Sequence, residues 1–143
     1  MPASRRPRQR DRFDDLPIQF VVNAEQALRA LERGESARAL NELDRTAPVA
    51  TTHPELLRLR GLALMQRQEF AAALECYLDA AERWPDDALI ACQLGAAMAQ
   101  TGDMIGAEEA FLRAVLLDPD LSDGWYNLGH ARDARADTAG ACE

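Results

Sequence analysis

One interval constrains this chain more than any other feature. Gly61, Gly95 and Gly129 stand 34 residues apart, and the same step links Ala39, Ala73, Ala107 and Ala141. Leu43, Tyr77 and Phe111 keep it, as do Ala80 with Ala114, Pro85 with Pro119 and Leu94 with Leu128. Independent columns sharing one period mark a small structural unit copied along the chain, each copy burying its apolar face against the next.

The columns within a unit predict two helices. In residues 88–121, Ala91, Leu94 and Met98 fall at helical spacing on one face. Thr101, Gly102 and Asp103 then interrupt: glycine suits the left-handed residue that ends a helix, and aspartate suits the cap that starts another. Ala107, Phe111 and Ala114 form the buried stripe of the second helix. Asp118 and Pro119 end it, because proline disfavours helix in the residue before it. Gly95 sits mid-helix, where glycine costs about 1 kcal/mol relative to alanine. Its recurrence predicts that a neighbouring helix crosses too closely to admit a side chain. Aromatic residues are only 6% of the chain and apolar residues 48%, so the core is alanine and leucine. That composition favours closely packed helices over a sheet, and the predicted class is all-α.

These residues resemble the tetratricopeptide repeat (TPR) family, whose unit runs W-x2-L-G-x2-Y, then A-x3-F, then P. Trp125, Leu128 and Gly129 match its opening, Ala107 with Phe111 and Ala73 with Tyr77 its middle, and Pro85 and Pro119 its end. The resemblance covers residues 18–143. It implies a right-handed superhelical solenoid of antiparallel helix pairs, with three complete units at about 20–53, 54–87 and 88–121 and a truncated fourth at 122–143. Arg60 stands at the expected leucine of the second unit, Arg132 at the expected aromatic of the fourth, and Ala27 at the expected glycine of the first. An atypical end unit is usual where one side faces solvent.

Residues 1–16 are expected to form a disordered, arginine-rich arm ahead of a domain spanning 17–143. The connection from Arg45 to His53 is longer than its counterparts and is the candidate hinge. Thr52, His53, Pro54 and Glu55 have the form of a capping box with proline in the first turn. The closing stretch GWYNLGHARDARADTAGACE reads as the first helix of a fourth unit, a turn at Ala136 and Asp137, and the start of a second helix from Thr138. That second helix is too short to be stable alone. The apolar face around Trp125 and Leu128 would then be covered by a continuation of the chain or through self-association.

Stacked helix pairs leave a hollow side that binds extended or helical segments. By the resemblance, its lining is one stripe of each first helix: Glu55, Arg58, Leu62 and Met65, then Leu89, Cys92, Ala96 and Ala99, then Asp123, Tyr126, His130 and Asp133. Small Ala96 and Ala99 leave room for a partner side chain, and Leu62, Met65, Leu89 and Tyr126 suit an apolar helix. The plainer alternative is that Leu62, Met65 and Leu89 complete the alanine-rich core. Some family members grip a C-terminal carboxylate with two lysines, two asparagines and an arginine. Those positions fall here on Ala24, Leu28, Leu59, Leu89 and Gln93, or one unit on, Arg58, Leu62, Gln93, Asp123 and Asn127. The cations are missing, so no chaperone-tail grip of that type is expected.

The net charge of −8 is split: the first twelve residues carry five arginines against one aspartate, the remainder eleven arginines against twenty-three acids. An acidic body with Glu55, Asp123 and Asp133 in its groove is a poor polyanion binder, so no nucleic acid is expected as partner. No apolar run approaches the ~18 residues that span a bilayer, and Arg5 and Arg6 have no apolar segment behind them. No membrane partner is expected, and the expected location is cytoplasmic. Lysine is absent altogether, as in a GC-rich bacterial genome. Cys76, Cys92 and Cys142 show no metal-binding spacing, so free thiols, no metal and no cofactor are expected. His130 can be drawn as a base for Cys92, but neighbouring helices lie ~8–10 Å apart and a nucleophile needs its base at ~3 Å. With no catalytic motif elsewhere, the expectation is a non-catalytic scaffold that binds a peptide or helix segment of a protein partner. The alternative is the substrate-positioning or assembly region of a larger bacterial transferase, sulfotransferase-like or glycosyltransferase-like, whose catalytic domain is absent here.

Overall fold

The computed structural model describes residues 12–47, 49 and 52–141. Among them are seven helices and no strand: α1 (Ile18–Glu32), α2 (Ser36–Asp44), α3 (Pro54–Gln66), α4 (Phe70–Arg83), α5 (Ala88–Gln100), α6 (Met104–Leu117) and α7 (Ser122–Ala141). Consecutive helices pack as pairs, and the odd-numbered helices also touch in turn, α1 to α3, α3 to α5 and α5 to α7. The odd helices therefore form one continuous layer, and the expected groove column runs across it.

The turns inside the pairs follow the repeat. Gly34, Gln68 and Gly102 take φ of 75°, 61° and 94°, each closing the first helix of its unit. Asp103 then caps α6, its Oδ1 accepting from the Gly106 N–H at 2.9 Å. Asp118 turns extended before Pro119 and stops α6.

The glycine column has the predicted cause. A Cβ on Gly61 would stand 2.7 Å from the Tyr77 ring, and one on Gly95 2.7 Å from the Phe111 ring. Gly129 faces open space, since among the described residues no second helix of the fourth unit brings a ring against it. In the first unit Ala27 and Leu43, both fully buried, take the two places; leucine is small enough to leave room for a methyl group. Around these contacts the core runs along the stack, from Leu31, Leu43 and Leu59 at one end, through Tyr77 and Ala97, to Phe111, Val115 and Leu128 at the other.

Two features here differ from expectation. Residues 12–16 are packed rather than part of a disordered arm: Arg12, Phe13 and Leu16 are buried, while the arm's residues 1–11 lie outside the described residues. The cap of α3 is His53, whose ring accepts from the Glu55 N–H at 3.2 Å with Pro54 in the first turn. Glu55 is drawn into an ion-pair cluster instead of folding back as a capping box. Of the candidate hinge, Pro48, Ala50 and Thr51 fall outside the described residues.

At the far end there is no turn at Ala136 and Asp137. α7 runs on as a single helix of 20 residues, because no left-handed residue stands there. Arg135 and Arg132 both pair with Glu108 of α6 and tie the extension down. Of the two residues expected on the open apolar face, Trp125 is exposed (51%) while Leu128 is buried, and Leu116 (73%) and Tyr126 are exposed as well. Cys142 and Glu143 lie outside the described residues. No helix among the described residues is long and apolar enough to cross a membrane.

Candidate functional site on the first-helix layer

The twelve residues expected to line the groove divide into three groups. Glu55 and Arg58, on the first turns of α3, are buried. Arg58 Nη2 donates to Glu55 Oε1 at 2.5 Å and Nη1 to Gln93 Oε1 at 3.2 Å. Burial by itself would lower the Arg58 pKa, but the hydrogen bond to Glu55 and its charge, with Tyr77 and Asp87 adding, hold it above the ordinary value. Arg12 completes the cluster from the other side. Its Nε donates to Glu55 and its Nη1 pairs with Asp87 at 2.8 Å. Its guanidinium carbon lies 5.3 Å from the centre of the Trp84 ring.

The segment carrying Arg12 is fastened along its length. Phe13 and Leu16 join the cluster of Leu56 and Leu59, against which Leu62 also packs. His53 Nδ1 accepts the Glu55 N–H, so its Nε2 carries the proton donated to Asp15 Oδ1 at 2.6 Å. The His53 ring meets Trp84 edge-on at 5.7 Å. One end of the layer is thus closed by the chain's own residues 12–16.

In the second group Leu62, Met65 and Leu89 are half-buried, with Met65 against the cluster of Ala73, Tyr77 and Ala97. Cys92 is buried, and Asn127 Nδ2 approaches its sulfur at 3.7 Å. The third group is open. Ala96, Ala99, Asn127, His130, Ala131 and Ala134 line a cavity of about 360 Å³ between α5 and α7, with Gln100, Met104 and Phe111 completing it. Tyr126 and His130 are exposed and stack edge to face at 4.4 Å. Asp123 and Asp133 stand exposed on the same helix.

Arg12 and Asp87 stand outside the expected groove set, and Gln93 and Asn127 entered it only as positions of a carboxylate grip. Gln93 and Asn127 occupy one repeat column and were within reach of the periodicity. Arg12 was not, since it precedes the repeats and nothing local directs it to α3. Elsewhere, burial raises the Cys76 pKa against the nearby Arg60, with Asp79 and Glu75 adding to the rise. No cluster of His, Cys, Asp or Glu among the described residues is arranged to hold a metal.

The tetratricopeptide repeat profile matches residues 24–88 and 58–123. A heat-shock protein cognate co-chaperone of Aspergillus fumigatus is 30% identical over 110 residues, 77% of this chain and 32% of that protein. A TPR repeat-containing protein of Pseudomonas aeruginosa is 45% identical over 56 residues, 39% of this chain and 53% of that protein. The chain therefore spans about a third to a half of these relatives. Among solved structures, the Sgt2 TPR domain from Aspergillus fumigatus has a TM-score of 0.82 at 18% identity, covering 89% of this chain and 85% of that one. The first TPR of Spaghetti (RPAP3), bound to an HSP90 peptide, has a TM-score of 0.75 at 19% identity, covering 82% and 93%. At these identities the solved structures share the fold alone. With the period of 34, the glycine-on-ring contacts and the profile match in agreement, this chain belongs to the tetratricopeptide repeat family.

Proposed function

We propose that this chain is a non-catalytic protein-interaction scaffold that seats a peptide or helical segment of a partner protein against the first helices of its units. The cavity between α5 and α7 carries the reading. Ala96, Ala99, Ala131 and Ala134 give it small apolar walls, and Gln100, Asn127 and His130 put polar groups beside them. An apolar recess with a few polar groups is the form of a side-chain pocket in helix-in-groove recognition. The RPAP3 neighbour is bound to an HSP90 peptide, which supports a peptide as ligand class. A terminal-carboxylate grip is not part of the proposal: Ala24, Leu28, Leu59 and Leu89 supply no cation, and the Arg58 guanidinium is engaged by Glu55 and Gln93. The partner is taken to be a cytoplasmic protein rather than nucleic acid or membrane. Self-association through exposed Leu116 and Trp125 belongs to the same reading, and sedimentation mass that stays monomeric at high concentration would remove it.

A peptide selected from a display library on the immobilised chain provides the test. Replacing Ala96 by Phe and Ala99 by Leu is expected to weaken that peptide at least about tenfold, or 1.4 kcal/mol; unchanged affinity refutes the cavity as the site. Amidating the peptide's C-terminus is expected to leave affinity unchanged, and a fall would restore the carboxylate grip.

A further inference from the structure

Trp84, Glu55 and Asp87 form a seat for a planar cation, and the structure shows that seat occupied. We propose that it is an arginine-recognition site at one end of the groove, filled in cis by Arg12. The partner segment that competes for it carries an arginine, an aromatic residue next to it and a leucine three residues further on, as in this chain's own Arg12, Phe13 and Leu16. This deepens the scaffold reading by naming what that end of the groove takes.

The seat is built without the segment that fills it. Glu55 belongs to α3, Trp84 follows α4, and Asp87 is the N-cap of α5, its Oδ1 already fixed by the Ile90 N–H at 3.1 Å. Glu55 receives the occupant's Nε, Asp87 its Nη1, and Trp84 lies 5.3 Å from its carbon. Donation in two directions from one plane beside an aromatic ring is guanidinium chemistry that a lysine ammonium cannot reproduce. Charge favours the occupant as well: Arg12 pairs with both Glu55 and Asp87, beside the Arg58 pair to Glu55.

The cis fit is also incomplete. Arg12 Nη2 is buried without a hydrogen-bond partner among the described residues. An open pocket of about 280 Å³, lined by Arg83, Trp84, Pro85, Asp86 and Asp87, adjoins the seat and gives an incoming segment access to it. A tethered segment competes at an effective concentration of about millimolar, so residues 12–16 set an affinity threshold that a partner must exceed.

The experiment uses the full chain with Trp125→Phe, which leaves Trp84 as the reporting tryptophan. A blocked peptide of residues 12–17, RFDDLP, is titrated into this chain and into the same chain carrying Arg12→Ala and Phe13→Ala. The expected result is a saturable change in Trp84 emission, at least tenfold tighter in the doubly substituted chain, and lost when the peptide's arginine is replaced by citrulline. Equal affinity for the two chains, no binding, or undiminished binding of the citrulline peptide overturns the proposal. Should the double substitution lose its helical circular dichroism, Asp87→Asn keeps the α5 cap and removes the charge. Amide exchange in residues 12–16 is then expected to rise at least tenfold with α6 unchanged, and unaltered exchange overturns the proposal. Failure here with binding retained at Ala96 and Ala99 sinks this inference and leaves the scaffold reading standing.

Discussion

At Gly61 and Gly95 the missing side chain is what lets each helix pair close. Alanine at Gly95 puts a Cβ 2.7 Å from the Phe111 ring, an overpacking of about 1–3 kcal/mol that helix propensity offsets by only about 1 kcal/mol. Gly95→Ala is therefore expected to lower stability in urea unfolding. Gly129→Ala, facing open space, is expected to raise it by up to about 1 kcal/mol. Reversed signs would contradict the ring contact as the reason for the column. The first unit already holds the compensated version, Ala27 with Leu43, so Tyr77→Leu should recover part of what Gly61→Ala loses. Gln68 is the one non-glycine residue among those described with positive φ, at 61°. A left-handed residue with a side chain costs roughly 1–2 kcal/mol, and Gln68→Gly removes that strain while adding chain entropy to the unfolded state. A net gain of about 0.5–1 kcal/mol is expected, and a lower melting temperature would contradict it.

Among the elements, α7 depends most on a single contact. Nothing in its own sequence covers the stretch after Ala131, and Glu108 of α6 holds it through Arg135 and Arg132. The Glu108 pKa is lowered chiefly by the hydrogen bond from Arg135, with slight burial opposing and the charges of both arginines adding. A lowered carboxylate pKa stabilises the folded form above the ordinary value of 4.5, and that contribution disappears as pH falls through the lowered one. Protection of amides in the last two turns of α7 is accordingly expected to fall as pH is taken from neutral down through the lowered Glu108 pKa, and Glu108→Gln should produce the same drop at neutral pH. Equal protection in both chains would mean that helix propensity alone carries the extension.

For the molecule as a whole, the buried cluster of Arg12, Glu55, Arg58 and Asp87 joins α3, the cap of α5 and the segment before α1. Glu55→Gln leaves two guanidiniums without the carboxylate charge they share and puts an amide NH2 in place of one acceptor oxygen, and breaking a buried pair in this way costs about 3–5 kcal/mol. A thermal unfolding midpoint within about a degree of the unchanged chain would show that the cluster contributes little. The filled seat lies at the start of α3 and α5, and the open cavity lies further along α5, against α7. A ligand crossing from α3 to α7 would meet the cation seat and then the small apolar walls.

By itself the sequence determined the period, the helix pairs of the first three units, the turns at Gly34 and Gly102 and the buried stripe of each of those units. These follow from spacings within 34 residues and from neighbours that repeat. Tertiary structure alone decided that Glu55 and Arg58 are buried rather than lining an open groove, since their partner Arg12 arrives from 43 residues away and lies outside any repeat column. It decided the continuation of α7 as well, where two arginines reach back to α6. Local patterns encode what each copy shares with its neighbours. At Arg12 and along α7 the deciding contacts join residues that share no repeat column, so no period announces them.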